Sequence, residues 1–225
     1  MDKNYIILTA GGSGSRMNSD IPKQFIPVVE KPLLMWAMEA FYNWNPDLEI
    51  IVVIPSKHIS LWKDLCQEFN LKIDHEIVEG GETRFESVKN AVALIEGNGL
   101  TGVHDGVRPF PAIETIEKVY KQADKDDAAI PCIDTFDSLR KVVDNKSMII
   151  NREDIKRVQT PQVFRTSLLK KAYRQKDNKH FTDDASVVEA LGHKIHLVEG
   201  NEENIKITTK MDLRIAISLA KLYKS

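Results

Sequence analysis

Strand patterns and helical patterns alternate along the first half of the chain. Apolar or β-branched runs such as Glu49–Ile54 predict strands that are buried on both faces of a sheet. Segments with apolar residues at helical spacing follow most of these runs. The predicted strands are 5–8, 49–54, 72–78, 100–104 and 128–131, and the predicted helices are 33–43, 59–69, 86–95 and 113–123. This alternation predicts an α/β fold with a mostly parallel sheet and helices on both faces.

A glycine-rich segment follows the first predicted strand, where an α/β sheet binds its ligands. Its small residues allow backbone N–H groups to close around an anion without obstruction. These residues are Ala10, Gly11, Gly12, Ser13 and Gly14. The cations of Arg16 and Lys23 follow, and a backbone cradle with two cations suits a polyphosphate. The alternative is a glycine-rich turn with solvated cations, but the basic pair and the proline before Lys23 favour the phosphate site.

Neither of the two common nucleotide-binding loops matches this segment. A dinucleotide fingerprint that begins at Gly12 accepts Gly14 but needs a third glycine where Met17 stands. A P-loop needs a Gly-Lys pair, which the sequence does not contain. The mismatch at Met17 disfavours an NAD-dependent oxidoreductase.

The loop after the third predicted strand carries a second set of small and polar residues. Gly80 and Gly81 would let the backbone approach a flat base, and Ser87, one helical turn beyond Arg84, could offer it a hydroxyl. A strand-to-helix turn with Thr83 as the helix N-cap explains the same residues. Taken alone, the local pattern favours the turn.

The loop after the fourth predicted strand contains a carboxylate and a cation. Asp105 at the end of a strand near a phosphate loop is a natural partner for Mg²⁺, whose ligands are oxygens. Arg108 either binds a substrate phosphate or pairs with Asp105 to fix the loop, and the second interpretation is favoured. His104 is expected to be buried and hydrogen-bonded rather than catalytic.

The strand–helix rhythm ends at residue 134. Two β-prone runs, 134–143 and 147–152, flank an Asp-Asn turn and predict a hairpin. An isolated two-stranded ribbon is marginal in water, so we expect it to pack on a second copy of the chain; a solvent-exposed lid is the alternative. We therefore predict one domain over 1–225, a Rossmann-like α/β fold with a projecting β-hairpin arm for dimerisation at about 134–156.

Two further polar segments precede the predicted C-terminal amphipathic helix. Residues 182–186 have the pattern of an N-cap with acidic residues at the positive end of a helix. Residues 204–208 form a β-prone run that contains Lys206. This lysine either extends to solvent or aims a third cation at the phosphates, and the sequence leaves both open.

The composition is that of an ordinary globular protein and disfavours several classes of function. The formal net charge of −2 argues against broad nucleic-acid binding. Cys66 and Cys132, the only cysteines, have no metal-ligand spacing and are expected to be reduced and buried. No signal-peptide pattern or bilayer-spanning run is present, so we expect a cytoplasmic protein without membrane contact.

Seven motifs, in chain order, resemble those of the 2-C-methyl-D-erythritol 4-phosphate cytidylyltransferases, a family of sugar-phosphate nucleotidyltransferases. The motifs are A-G-G-S-G-S-R-M at 10–17, P-K-Q at 22–24, E-G-G with Arg84 and Ser87 at 79–87, H-D-G-V-R-P at 104–109, T-P-Q at 160–162, T-D-D-A-S at 182–186 and N-I-K-I-T at 204–208. They span nearly the whole chain without a large gap.

The resemblance implies transfer of a cytidylyl group from CTP to methylerythritol phosphate, with release of pyrophosphate, in the non-mevalonate isoprenoid pathway. It implies that Arg16 and Lys23 stabilise the pentacoordinate transition state, assisted by Lys206 and by Mg²⁺ held near Asp105. The implied nucleotide-binding residues are Ala10, Gly11, Gly12, Ser13, Gly14, Gly81, Glu82 and Ser87. The implied acceptor-binding residues are Asp105, Arg108 and Thr182 of one subunit, with Thr135 and Arg152 of the other subunit of a homodimer.

The residues fit this chemistry independently of the resemblance. A substrate phosphate is already a nucleophile at neutral pH, so catalysis needs alignment and positive charge rather than a general base. One motif departs from the family, because D-G-V-R at 105–108 stands where two alanines usually separate Asp and Arg. The valine also resembles ribitol-5-phosphate cytidylyltransferases, which are therefore the alternative for the acceptor. A non-catalytic nucleotide-binding module would not need Arg16, Lys23 and Asp105 together.

Overall fold

A computed structural model of the protein describes residues 3–12 and 21–223. The strands are β1 (Tyr5–Thr9), β2 (Pro27–Val28), β3 (Lys31–Pro32), β4 (Glu49–Ile54), β5 (Glu76–Glu79), β6 (Leu100–Asp105), β7 (Ala128–Asp134), β8 (Leu139–Val143), β9 (Lys146–Ile150), β10 (Lys156–Val158), β11 (Gln162–Arg165) and β12 (His196–Glu199). The α-helices are α1 (Leu33–Trp44), α2 (Ile59–Glu68), α3 (Arg84–Leu94), α4 (Ile113–Asp126), α5 (Thr166–Ala172), α6 (Asp184–Glu189) and α7 (Lys210–Leu222).

Within residues 3–12 and 21–223, eight strands form the central sheet in the order β10-β7-β11-β6-β1-β4-β5, with β12 paired to β7. β1 lies between β6 and β4 and is parallel to both, with Ile7 opposite Val103 and Ile51. β10 and β11 run antiparallel to their neighbours. The sheet is therefore mixed but mostly parallel, which confirms the predicted fold class.

Helices cover both faces of this sheet because successive residues of a strand point to opposite sides. Tyr5 and Ile7 of β1 belong to a core that includes α3, α5 and α6. Ile6 and Leu8, on the opposite face, belong to a core that includes α1, α2 and α4. A third, smaller core joins α7 to Trp36, Phe110 and the buried Ile207. This last contact brings the C-terminal segment back to the sheet edge that carries the loops.

The predicted hairpin forms as β8 and β9, which pair antiparallel from Leu139 opposite Ile150 to Val143 opposite Lys146. Asp144 and Asn145 at the turn both have positive φ values, 48° and 62°. These are the residue types that a tight hairpin turn of this kind prefers. The hairpin prediction is confirmed, whereas its role in dimerisation stays a prediction.

Three local predictions were wrong or incomplete. The third strand is shorter than predicted, since β5 begins only at residue 76 and 71–75 are irregular. The β-prone run 204–208 forms no strand. Cys132 is buried as expected, but Cys66 is only partly buried; both thiols are free. Among the residues that the structure describes, no helix has the length and apolar character needed to cross a bilayer.

Candidate functional site

A cavity of about 240 Å³ opens at the carboxyl ends of four neighbouring parallel strands. Gly12 follows β1, Pro55 follows β4, Gly81 follows β5 and Asp105 ends β6. The cavity is lined by Thr9, Ala10, Gly11, Gly12, Lys23, Gln24, Pro55, Gly81, Glu82, Thr83, Arg84, Ser87, Asp105, Val107 and Lys206. This position agrees with the rule that α/β sheets bind ligands beyond the carboxyl ends of their strands.

One wall of the cavity is the turn between β5 and α3. Thr83 is the N-cap of α3 in a capping box with Glu86, so the structural interpretation of this loop is confirmed. The N–H of Gly81 donates to the Ser87 hydroxyl at 3.1 Å. A Cβ atom at Gly81 would overlap the Cβ of Glu86, so only glycine fits here. The same turn thus caps a helix and exposes backbone to the cavity.

The P-K-Q motif positions Lys23 above the glycine loop. Lys23–Phe25 form one 3₁₀ turn, in which Gln24 is buried and donates to the carbonyl of Ala10 at 2.5 Å. A Cβ atom at Gly12 would lie 3.1 Å from Cε of Lys23. The motif therefore anchors itself on the strand end through Gln24 and places the lysine chain against the glycine backbone.

Asp105 is a carboxylate surrounded by positively charged side chains. Its Oδ2 atom lies 3.0 Å from Nζ of Lys206 and 3.2 Å from Nε of Arg108. Burial by itself raises the pKa of this carboxyl. The positive charges of Lys206, Arg84 and Arg108 outweigh burial and hold the pKa of Asp105 well below its usual range, so the group is an anion at neutral pH.

Arg84 is a cavity residue that sequence reasoning did not select as part of the site. Its guanidinium forms a bidentate pair with the fully buried Asp184 at 2.9 and 2.5 Å. The Tyr173 hydroxyl donates to the same carboxylate at 2.6 Å. Burial opposes the guanidinium charge, but Asp184 outweighs it and raises the pKa of Arg84 above its ordinary value. The partners are 100 residues apart, which explains why no local pattern revealed the pair.

A buried hydrogen-bond chain supports the loop that contains Asp105. The N–H of Asp105 donates to the Thr160 hydroxyl at 3.1 Å, and that hydroxyl lies 3.0 Å from Nδ1 of His104. Nε2 of His104 lies 2.9 Å from the carbonyl of Arg108. Burial lowers the pKa of His104 to about 4, so the ring is neutral at pH 7. His104 is structural, as predicted, and the hydroxyl of the T-P-Q motif joins it.

The cavity brings together nine of the predicted site residues, namely Ala10, Gly11, Gly12, Lys23, Gly81, Glu82, Ser87, Asp105 and Lys206. Arg108 lies behind Asp105 and donates to the carbonyl of Asn204 at 2.7 Å, so it fixes the loop as favoured above. The structure does not place Thr135, Arg152 or Thr182 in the cavity lining; Arg152 donates to the carbonyl of Phe136 at 2.8 Å. Ser13, Gly14 and Arg16 lie outside the described residues.

A second cavity, of about 410 Å³, lies beside Trp36, Phe110 and Tyr223. Among the described residues, its charged lining consists of three glutamates and one lysine, Lys31. The glutamates are Glu30, Glu39 and Glu114. Among the described residues, the smaller cavity instead has three cations and two carboxylates, and this balance of charge suits a polyphosphate.

Comparisons with known proteins agree on one family. Residues 5–221 match the sequence profile of 2-C-methyl-D-erythritol 4-phosphate cytidylyltransferase. A protein of that name from Bacteroides thetaiotaomicron is 51% identical over 217 residues, covering 96% of this chain and 99% of the relative. The crystal structure of 4-diphosphocytidyl-2C-methyl-D-erythritol synthase from Anaerococcus prevotii matches with a TM-score of 0.82 and 27% identity, covering 98% of this chain and 96% of that one. The cytidylyltransferase structure from Thermus thermophilus matches with a TM-score of 0.78 and 29% identity, covering 98% of this chain and 100% of that one. The chain belongs to the 2-C-methyl-D-erythritol 4-phosphate cytidylyltransferase family.

Proposed function

We propose that the protein transfers the cytidylyl group of CTP to 2-C-methyl-D-erythritol 4-phosphate, giving 4-diphosphocytidyl-2-C-methyl-D-erythritol and pyrophosphate in the non-mevalonate isoprenoid pathway. Family membership supports the reaction. The single observation that carries the proposal is that Lys23, Arg84 and Lys206 line one cavity together with the anionic Asp105 and the glycine backbone. This arrangement supplies positive charge and a backbone cradle, and both are required for phosphoryl chemistry.

The acceptor phosphate is itself the nucleophile, so the protein aligns it with the α-phosphorus and stabilises the charge that develops there. Lys23, held above Gly12, and Lys206, held beside Asp105, are assigned to this charge. Arg16, outside the described residues, is assigned with them on the strength of its motif. The backbone of Ala10 to Gly14 and of Gly81, together with Glu82 and Ser87, is assigned to the nucleotide.

Asp105 is proposed to hold Mg²⁺ while substrate is bound. In the described part of the chain no three His, Cys, Asp or Glu side chains converge on one point. A single carboxylate nevertheless fits the ion, because Mg²⁺ in proteins commonly takes one or two carboxylates together with substrate phosphates. When bound, Mg²⁺ would neutralise phosphate charge. Asp105 itself remains anionic because the cations around it lower its pKa.

The acceptor site is proposed to be shared between two subunits. Thr182 and Arg108 are assigned to one subunit, and Thr135 and Arg152 at the base of the hairpin are assigned to the neighbour's site. The hairpin supports this, because it exposes apolar side chains that a monomer would leave in water. The exposed fractions are 74% for Phe136, 66% for Val142, 51% for Met148 and 81% for Ile149. We also propose a cytoplasmic location, where the two free thiols stay reduced.

Pyrophosphate release from CTP tests the reaction. The wild-type protein is assayed with methylerythritol phosphate or ribitol 5-phosphate, each with and without Mg²⁺. We expect release with methylerythritol phosphate in the presence of Mg²⁺ and little with ribitol 5-phosphate. No release with either acceptor would refute the proposed enzymatic activity and favour a non-catalytic nucleotide-binding module. Release with ribitol 5-phosphate alone would identify ribitol 5-phosphate as the acceptor.

Light scattering during gel filtration tests the dimer. We expect twice the 25.5 kDa mass of the chain for the wild type and a single chain mass for Ile149→Asp. Leu94→Asp, at an exposed apolar residue of α3 away from the hairpin, is the matched control and should stay dimeric. A wild-type mass of 25.5 kDa at assay concentration would contradict the shared site.

A further inference from the structure

The segment that carries Lys206 has no strand ladder to position it. Gly200 donates to the carbonyl of Cys132, and Ile207 donates to the carbonyl of Val107, both at 2.9 Å. Between these two points the chain forms a turn and an irregular stretch. The lysine ammonium is nevertheless within 3.0 Å of Asp105. Apart from these two bonds and one turn bond, from the Asn204 N–H to the Asn201 carbonyl at 3.2 Å, side chains hold the backbone from which Lys206 projects.

Gln159 supplies the first of these contacts. It is 3% exposed, and its amide pairs with the main chain of Asn201 in both directions. Nε2 donates to the Asn201 carbonyl at 2.8 Å, and Oε1 accepts from the Asn201 N–H at 3.3 Å. The side-chain amide thus takes the place of a neighbouring strand. A longer contact from Nε2 reaches the Asn204 carbonyl at 3.4 Å.

Asn204 supplies the second set of side-chain contacts to this segment. It is fully buried, and its Nδ2 donates to the Thr160 carbonyl at 2.8 Å. Its own carbonyl accepts from the Arg108 guanidinium at 2.7 Å. Oδ1 of Asn204 is buried without a hydrogen-bond partner among the described residues. An apolar side chain in place of Asn204 would take the Nδ2 donor away from the buried Thr160 carbonyl and break the tie between the two segments.

We propose that Asn204 and Gln159 are positioning residues whose buried amides set the backbone of 201–207 and so hold Lys206 beside Asp105. The proposal rests on the proposed function for its kinetic readouts. A displacement of about 1 Å at a reacting group can cost about 100-fold in rate. The long, flexible lysine side chain cannot correct a misplaced backbone without losing conformational entropy.

A double-mutant cycle tests whether Asn204 acts through Lys206. We expect Asn204→Ala to lower kcat by about 10- to 100-fold, with the dissociation constant for CTP changed less than threefold. In a Lys206→Ala background, Asn204→Ala should cause almost no further loss, because the group it positions is gone. An equal loss in both backgrounds would show a purely structural role and overturn the proposal.

A second variant pair covers the case in which Asn204→Ala does not fold. Gln159→Glu removes the Nε2 donor with little change in shape and should lower kcat by about 10-fold. Gln175→Glu is the matched control, since Nε2 of Gln175 also donates to two main-chain carbonyls, those of Ala172 and Val187, but Gln175 does not line the cavity. An equal effect of the two substitutions on kcat would contradict the proposal.

A crystal structure of the variant separates this inference from the proposed function. We expect Nζ of Lys206 in Gln159→Glu or Asn204→Ala to lie more than 4 Å from Asp105. If the distance stays near 3.0 Å, the inference fails whatever the activity. If the wild type releases no pyrophosphate but the variant displaces Lys206, the proposed function fails and the positioning role stands.

Discussion

His104 makes the stability of the protein depend on pH, and one substitution should remove this dependence. The imidazole is completely buried and packs edge-on against Phe41, with a centroid distance of 4.9 Å. As a neutral ring it donates from Nε2 to the Arg108 carbonyl and accepts the Thr160 hydroxyl at Nδ1. A second ring proton would place a charge in the core and remove this acceptor. Gln at position 104 keeps a donor near Nε2 and cannot be protonated.

The size of the stability loss follows from the difference between the pKa values of His104 in the folded and the unfolded protein. Burial lowers the pKa of His104 to about 4 in the folded protein, against about 6.5 in the unfolded chain. Because the folded pKa is depressed, the unfolded chain binds the proton more tightly between these values. The stabilisation is complete above pH about 6.5 and is lost as pH falls towards 4. At pH 5 the wild type should have lost about 2 kcal/mol relative to pH 8.

Urea denaturation at pH 8 and pH 5 measures this effect. We expect the free energy of unfolding of the wild type to fall about 2 kcal/mol further than that of His104→Gln over this interval. The other histidines are present in both proteins, so their titration cancels in the comparison. His193→Gln, at an exposed histidine, is the matched control and should keep the wild-type dependence. Equal losses for the wild type and His104→Gln would refute the reasoning.

Three further predictions concern the cavity. In the pyrophosphate assay, Lys23→Ala should lower kcat by about 100- to 1,000-fold with much less effect on CTP affinity. Lys89→Ala, at an exposed lysine, is the control and should change neither kcat nor CTP affinity. An unchanged kcat for Lys23→Ala would show that Lys23 has no catalytic role. Asp184→Asn breaks a buried ion pair and should cost about 3–5 kcal/mol in calorimetry, against about 0–1 for Asp127→Asn at an exposed pair; equal costs would contradict the burial argument. Gly81→Ala places a methyl group against α3 and should weaken CTP binding, measured by titration calorimetry, by about 10-fold. An unchanged affinity would show that this turn does not bind the nucleotide.

The candidate site was largely predictable because its chemistry sits next to strand ends. A glycine cluster, a lysine after proline and an aspartate at the end of an apolar run are each a pattern that spans only a few residues. The parallel sheet then brings these loops to one edge, so placing the strands also placed Lys23, Gly81 and Asp105. The same reasoning anticipated the buried His104 and the pairing of Arg108 with Asp105.

The supports of the site were not predictable in the same way. Arg84 and Asp184 pair across 100 positions, and Gln159 pairs with Asn201 through a side chain that imitates a strand. Residues 204–208 form no strand despite their β-prone composition. Such contacts form because the folded sheet brings distant loops to within about 3 Å of one another. The periodicity of the sequence does not encode these distances.

The sequence by itself determined the fold class, the loops that carry chemistry and the family resemblance. These depend on local periodicity and on residue types that each loop carries alone. Only the tertiary structure decided how the cations are held around Asp105, because hydrogen bonds and ion pairs depend on distance through space. Local backbone preferences thus determine which loops carry the functional groups. Long-range packing of the sheet, helices and C-terminal segment determines how these groups are arranged around one another.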